Sequence, residues 1–94
     1  MEHYYKDLSK DQQRLCLQFL GAVTNLPKTQ QNALKKVLGE ELDLDDVSKK
    51  AVAYFAGVRT ELKPYGVNNP SDSEFIKGAL RRAKQDAGLD FNYE

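Results

Sequence analysis

The chain has 94 residues, of which 40% are hydrophobic and 30% are charged, as is typical of one folded domain rather than of a disordered tail. Fourteen basic residues balance fourteen acidic ones, so no net charge draws the whole chain toward nucleic acid or an anionic membrane. It has one cysteine and no apolar run near the roughly 20 residues of a membrane helix. The sequence predicts a cytoplasmic protein with a single domain, 1–94, that does not enter a membrane.

The first predicted helix covers about residues 10–25. Ser9 and Gln12 have the spacing of a capping box, in which two side chains satisfy exposed backbone groups of the first turn. Pro27 ends the helix, because the residue before a proline is pushed out of the helical region. At 100° per residue the apolar positions share one broad face: Leu15, Cys16, Phe19, Leu20, Ala22, Val23 and Leu26.

The second predicted helix is shorter and covers about residues 30–38. Thr29 is its expected N-cap, and Gly39 its expected end. Its apolar positions again lie on one side: Ala33, Leu34, Val37 and Leu38.

The third predicted helix, about 45–63, follows an acidic run at 40–46 and ends at Pro64. Either Asp43 or Asp45 is expected to cap it, and the neighbouring carboxylates favour the positive end of the helix dipole. Its apolar stripe extends over about five turns and makes it the expected central helix: Leu44, Val47, Ala51, Tyr54, Phe55, Val58 and Leu62.

The fourth predicted helix, about 72–87, follows a loop rich in turn-forming residues. Ser71 or Ser73 starts it, Glu74 completes a capping box from Ser71, and Gly88 is the expected left-handed terminator. Its inner face is apolar: Phe75, Ile76, Ala79, Leu80, Ala83 and Ala87. The predicted fold is therefore an all-α bundle of about four helices, with a flexible N-terminus (1–7) and a C-terminal tail (89–94).

The sequence predicts no catalytic residues, no metal site and no cofactor. His3 lies in a terminal segment of the kind that commonly frays, and Cys16 lies on an apolar helix face, where a buried thiol is inert. A zinc site needs about four ligands at suitable spacing, which this chain does not offer. The glycines are scattered singly and form no phosphate-binding loop.

Two surfaces are candidate partner sites. Small residues at i, i+3, i+4 and i+7 of the third helix form a ridge that another backbone could approach closely. On the first helix, Leu17 is an apolar residue that lies beyond the core face. A basic stripe on the fourth helix could contact phosphates or an acidic partner. The predicted partner-binding residues are Leu17, Ala53, Ala56, Gly57 and Thr60, and the predicted charged contact residues are Lys77, Arg81, Arg82 and Lys84.

These surfaces favour a small non-catalytic module that binds another protein or a second copy of itself. The alternative is a DNA-binding protein. The stretch 26–34, which begins Leu26-Pro27, and the stretch 42–47 resemble the region of bacterial sigma factors and related regulators that begins with Leu-Pro. The resemblance covers under a third of the chain and implies a helix-turn-helix. The chain departs from it after Val47, where no glycine-containing turn follows. Nucleic acid is thus the less favoured partner.

Overall fold

Four α-helices make up most of the structure, a computed structural model that describes residues 3–89: α1 (Lys10–Thr24), α2 (Lys28–Leu38), α3 (Leu44–Leu62) and α4 (Asp72–Asp86). Short 3-10 turns at Tyr5–Asp7 and Lys63–Tyr65 precede α1 and follow α3. No strand occurs in the described residues. The predicted all-α bundle is confirmed, and each predicted helix boundary lies within two residues of the observed one.

Side chains cap α3 and α4 as predicted. Asp43 accepts hydrogen bonds from the Asp45 and Asp46 amides at the start of α3. The capping box between Ser71 and Glu74 is complete at the start of α4. At the other end of α4, Gly88 has φ 76°, and the Leu89 amide donates to the Lys84 carbonyl at 3.0 Å, which is the Schellman closure expected of a left-handed glycine.

The predicted capping box of α1 is only half formed. Ser9 accepts a hydrogen bond from the Gln12 amide at 3.2 Å. The Gln12 side chain makes no return bond, and its Oε1 atom is buried without a partner among the described residues.

The prediction that Thr29 caps α2 is wrong. The helix already begins at Lys28, and its N-cap residue, Pro27, has no side-chain hydrogen bond to offer. Proline has a φ close to the helical value, so α2 can start directly after it. The Gln31 side chain also ties α2 to the end of α1, because it donates to the carbonyls of Thr24 and Leu26 at 2.9 and 2.7 Å.

Residues from all four helices form one hydrophobic core. Three rings connect α1, α3 and α4 by edge-to-face contacts: Phe19 lies 6.2 Å from Phe55, which lies 5.6 Å from Phe75. α2 contributes the fully buried Leu34 and Leu38. Both α3 and α4 contact every other helix, so α3 shares the central position with α4.

The N-terminal segment contacts the start of α3. The Tyr5 amide donates to the Asp45 carboxylate at 2.9 Å, and the Gln13 side chain donates to the Tyr5 carbonyl at 3.1 Å. Flexibility of residues 1–7 stays a prediction. Residues 1, 2 and 90–94, which include most of the predicted tail, lie outside the described residues.

Candidate functional site

The small-residue ridge of α3 is exposed except at one position. Ala53, Ala56 and Thr60 are exposed, whereas Gly57 is half-buried. Arg82 of α4 covers Gly57: its guanidinium donates to the Gly57 carbonyl at 3.2 Å, and a Cβ atom at Gly57 would lie 2.9 Å from Arg82 Nε. The glycine therefore makes room for a side chain of the same chain.

Leu17 is 51% exposed on α1, so it presents an apolar side chain to the outside on a different helix from the ridge. Whether Leu17 or the ridge binds a partner stays a prediction.

The four predicted basic residues do not form one uniform stripe. Glu61 of α3 pairs with Arg82 at 2.8 Å and with Arg81 at 3.5 Å. Arg82 is half-buried against α3, while Lys77 and Arg81 are exposed. Lys84 is half-buried as well. Positive charge that is available to a partner is thus concentrated toward Lys77 and Arg81.

A groove lies beside these two residues, between α3 and α4. Its floor consists of Val58, Leu62 and Gly78, and its volume is about 170 Å³. The helices approach closely at this point, since a Cβ atom at Gly78 would lie only 2.5 Å from Val58 Cγ2. Four charged residues form the rim: Glu61, Glu74, Lys77 and Arg81.

Two of the four rim residues, Lys77 and Arg81, are predicted from the sequence as contact residues, whereas Glu61, Glu74 and the floor are not. The apolar periodicity of α3 places Val58 and Leu62 only in the core, although Leu62 is partly exposed. A glycine inside a helical pattern is a usable signal, because it weakens the helix and can mark a close contact between helices. Gly78 is such a glycine, and it lies where α4 contacts Val58.

Charged and polar side chains also link α1 to the start of α4. Arg14 donates two hydrogen bonds to Asp72, at 2.9 and 3.1 Å, and one to Asp11 at 2.8 Å. Gln18 adds a further bond to Asp72 at 2.9 Å. The Arg14 guanidinium, followed by the Gln18 amide, holds the pKa of the Asp72 carboxyl below its usual range. The two carboxylates in turn raise the pKa of Arg14.

The lone thiol is poorly suited to nucleophilic chemistry. Cys16 is fully buried, and burial raises its pKa, an effect that the neighbouring Ser48 hydroxyl offsets only in part. Because the thiolate is the reactive form, a thiol that stays protonated is inert. His3, the first residue that the structure describes, is exposed.

Residues 3–89 contain no group of three or more His, Cys, Asp or Glu side chains that could hold a metal ion. Within the same range, no helix has both the length and the apolar character that are needed to cross a membrane. No protein-family model, curated protein or solved structure matches this chain.

Proposed function

We propose that this chain is a non-catalytic interaction module that binds another protein through the α3–α4 groove. The observation that carries the proposal is the form of the groove: an apolar floor of Val58, Leu62 and Gly78 inside a charged rim. Protein interfaces commonly have this arrangement, in which a buried apolar anchor is surrounded by polar contacts.

The size of the groove limits what can enter it. A cavity of about 150 Å³ in a protein interior holds a benzene-sized molecule, so the 170 Å³ available here suits one leucine- or phenylalanine-sized side chain. A side chain on a partner helix is the simplest occupant, because amphipathic helices place single apolar anchors into grooves between helices.

The rim charges define the chemistry next to that anchor. Glu74 is used in the capping box of α4, and Glu61 is paired with Arg81 and Arg82. Lys77 makes no ion pair with any residue between 3 and 89. The charge left for a partner is therefore positive, and we expect an acidic residue beside the apolar anchor.

Exposed Tyr65 lies three residues beyond Leu62, just after the end of α3, and is 79% exposed. Tyrosine is enriched among the residues that dominate binding energies at interfaces. We expect Tyr65 to extend the contact surface beyond the groove.

The helix-turn-helix alternative gains no support from α3. Its N-cap is Asp43 and its first turn carries Asp45 and Asp46. These carboxylates would face the phosphates if this end entered a DNA groove.

Site-specific photo-cross-linking in the native host tests the proposal. A benzophenone amino acid replaces Arg81, which lines the groove, and, in the control, Lys36, which is exposed on α2. Lys77 stays in place. We expect one discrete protein adduct at position 81 that is absent at position 36. The purified partner should then bind at least about tenfold more weakly to Lys77→Glu than to the parent chain, since one opposed charge pair at an interface contributes about this much.

Three outcomes would contradict the proposal. One is a folded variant that gives no adduct at position 81. Another is the same set of adducts at both positions. The third is an adduct with a second copy of the chain, which would indicate self-association and not binding to another protein. Sedimentation of the purified chain would then measure the self-association directly.

A further inference from the structure

A second cavity of about 170 Å³ lies where α1, α3, the loop before α4 and the first turn of α4 meet. Leu15, Pro70 and Phe75 supply its apolar walls, and the first and last of these belong to the core. Pro70 is buried as well. The walls therefore come from three separate parts of the chain that the fold holds in place.

One arginine in this cavity lacks an acidic partner. Arg14, Arg81 and Arg82 each pair with a carboxylate. Arg59 makes no ion pair with any residue that the structure describes, and its guanidinium carbon lies 5.3 Å from the centre of the Phe75 ring, over its face. A cation over an aromatic face is held in position while the N–H groups at its edge stay available.

The carboxylates of the cavity are already engaged. Asp72 accepts two bonds from Arg14 and one from Gln18. Asp11 binds the same guanidinium, and its side chain is 83% exposed, so water screens its charge. Arg59 is thus the charged group whose hydrogen-bonding capacity is unused.

Asn69 supplies a second polar group. It lines the cavity, and its side chain has no hydrogen bond within the described part of the chain. An amide NH₂ and a guanidinium that line the same cavity offer donors of the kind that a carboxylate accepts.

We propose that this cavity binds a carboxylate that carries a small branched apolar group, with the carboxylate on Arg59 and Asn69 and the apolar group against Leu15, Pro70 and Phe75. Such a group occurs in free short-chain acids and at the carboxyl terminus of a polypeptide that ends in valine or leucine. The site is separate from the α3–α4 groove and does not depend on the function proposed there.

Chemical-shift titration of the full chain at constant ionic strength tests the proposal. The probes are isovalerate and isovaleramide, which have the same shape and differ in charge. We expect isovalerate to shift the signals of the Arg59 side chain, the Asn69 side chain and the Leu15 amide saturably, with a Kd on the order of 1 mM, as suits a ligand of so few atoms. Isovaleramide should shift them little.

Matched variants locate the charge that matters. Arg59→Met keeps an apolar stem over Phe75 and removes the guanidinium, and we expect it to weaken isovalerate binding at least about tenfold. Asn69→Ala, in an exposed loop position, should weaken it less. Lys77→Met removes a cation from the α3–α4 groove and should leave isovalerate binding unchanged.

An acetylated tetrapeptide that ends in valine distinguishes the two sources of the carboxylate. Binding at least about tenfold tighter than that of isovalerate indicates a polypeptide terminus, and the amidated peptide should then lose this gain. Equal or weaker binding indicates a free acid. Equal shifts with isovaleramide, or isovalerate shifts that persist in folded Arg59→Met, would overturn the proposal.

Discussion

The Ser48 hydroxyl is a buried polar group whose desolvation is not offset by a hydrogen bond of ordinary geometry to any residue between 3 and 89. Ser48 is fully buried in α3, and its Oγ atom has no hydrogen bond of ordinary geometry within the described residues. Its neighbour, the Cys16 sulfur, is a weak acceptor. We expect Ser48→Ala to raise the free energy of unfolding by about 1 kcal/mol, because it removes a buried polar group without a partner and improves helix propensity. Denaturant unfolding measures the change.

Thr60→Ala isolates the contribution of helix propensity to this gain. Thr60 is exposed in the same helix, so its replacement should add only about 0.5 kcal/mol. A Ser48→Ala gain no larger than the Thr60→Ala gain, or a loss of stability, would show that the hydroxyl is satisfied in the core.

Two buried acids make stability sensitive to high pH. Burial is the main cause that raises the pKa of Cys16 above its ordinary value of 9.0 and the pKa of Tyr54 above its ordinary value of 10.0. The Asp86 carboxylate lies 2.7 Å from the Tyr54 hydroxyl and raises the pKa of Tyr54 further. Folding thus favours both protonated forms. This stability is fully present below the ordinary values and is lost as the pH rises above them, by up to about 1.4 kcal/mol per pH unit for each group.

We therefore expect the free energy of unfolding to fall between about pH 9 and pH 11, and to fall less steeply in Cys16→Ala and in Tyr54→Phe. Tyr65→Phe makes the same chemical change at an exposed ring outside the core and is the matched control. The relevant measurement is denaturant unfolding at a series of pH values. Parallel slopes in all four proteins would contradict this account.

At the scale of helices, the contact between α3 and α4 depends on the absence of one methyl group. A Cβ atom at Gly78 would lie 2.5 Å from Val58 Cγ2, whereas one at Gly21 would have no atom within 4 Å. Both glycines lie inside helices, so the gain in helix propensity on replacement by alanine is the same, about 1 kcal/mol.

We expect Gly21→Ala to stabilise the protein by about 0.5–1 kcal/mol and Gly78→Ala to destabilise it by about 1–2 kcal/mol, because overpacking outweighs the propensity gain. Thermal or denaturant unfolding of the two variants measures the difference. If the clash with Val58 is the cause, Val58→Ala and Gly78→Ala together should cost less than the sum of their separate effects. Equal stabilisation by both glycine replacements would exclude the close contact.

At the scale of the molecule, local patterns predicted the helices, whereas contacts distant in sequence determined the sites. Ser71, Glu74 and Gly88 signal the ends of α4 through bonds within a few residues. Arg14 and Asp72 are 58 positions apart, and no local rule pairs them. Their pairing, like the position of Arg59 over Phe75, becomes visible only once helix packing is known. The candidate sites were therefore predictable as surface residues and not as cavities.

The four helices do not contribute equally to the core. The rings of Phe19, Phe55 and Phe75 connect α1, α3 and α4, whereas α2 fully buries only Leu34 and Leu38 and has no side-chain cap at its N-terminus. Segments with few buried contacts open at a lower free energy than the whole molecule. We expect native-state hydrogen exchange to show α2 amides opening at least about 1 kcal/mol below those of the other three helices.

Phe55→Leu separates this local opening from global unfolding. Phe55 lies in the ring cluster and should keep its contacts when α2 alone opens, so the variant should lower the opening free energies of α1, α3 and α4 by about 1 kcal/mol and leave that of α2 nearly unchanged. If the variant instead lowers the opening free energy of the α2 amides as much as that of the other helices, the four helices unfold as one unit. The contacts of Leu34 and Leu38 would then stabilise α2 as much as the ring contacts stabilise the other three helices.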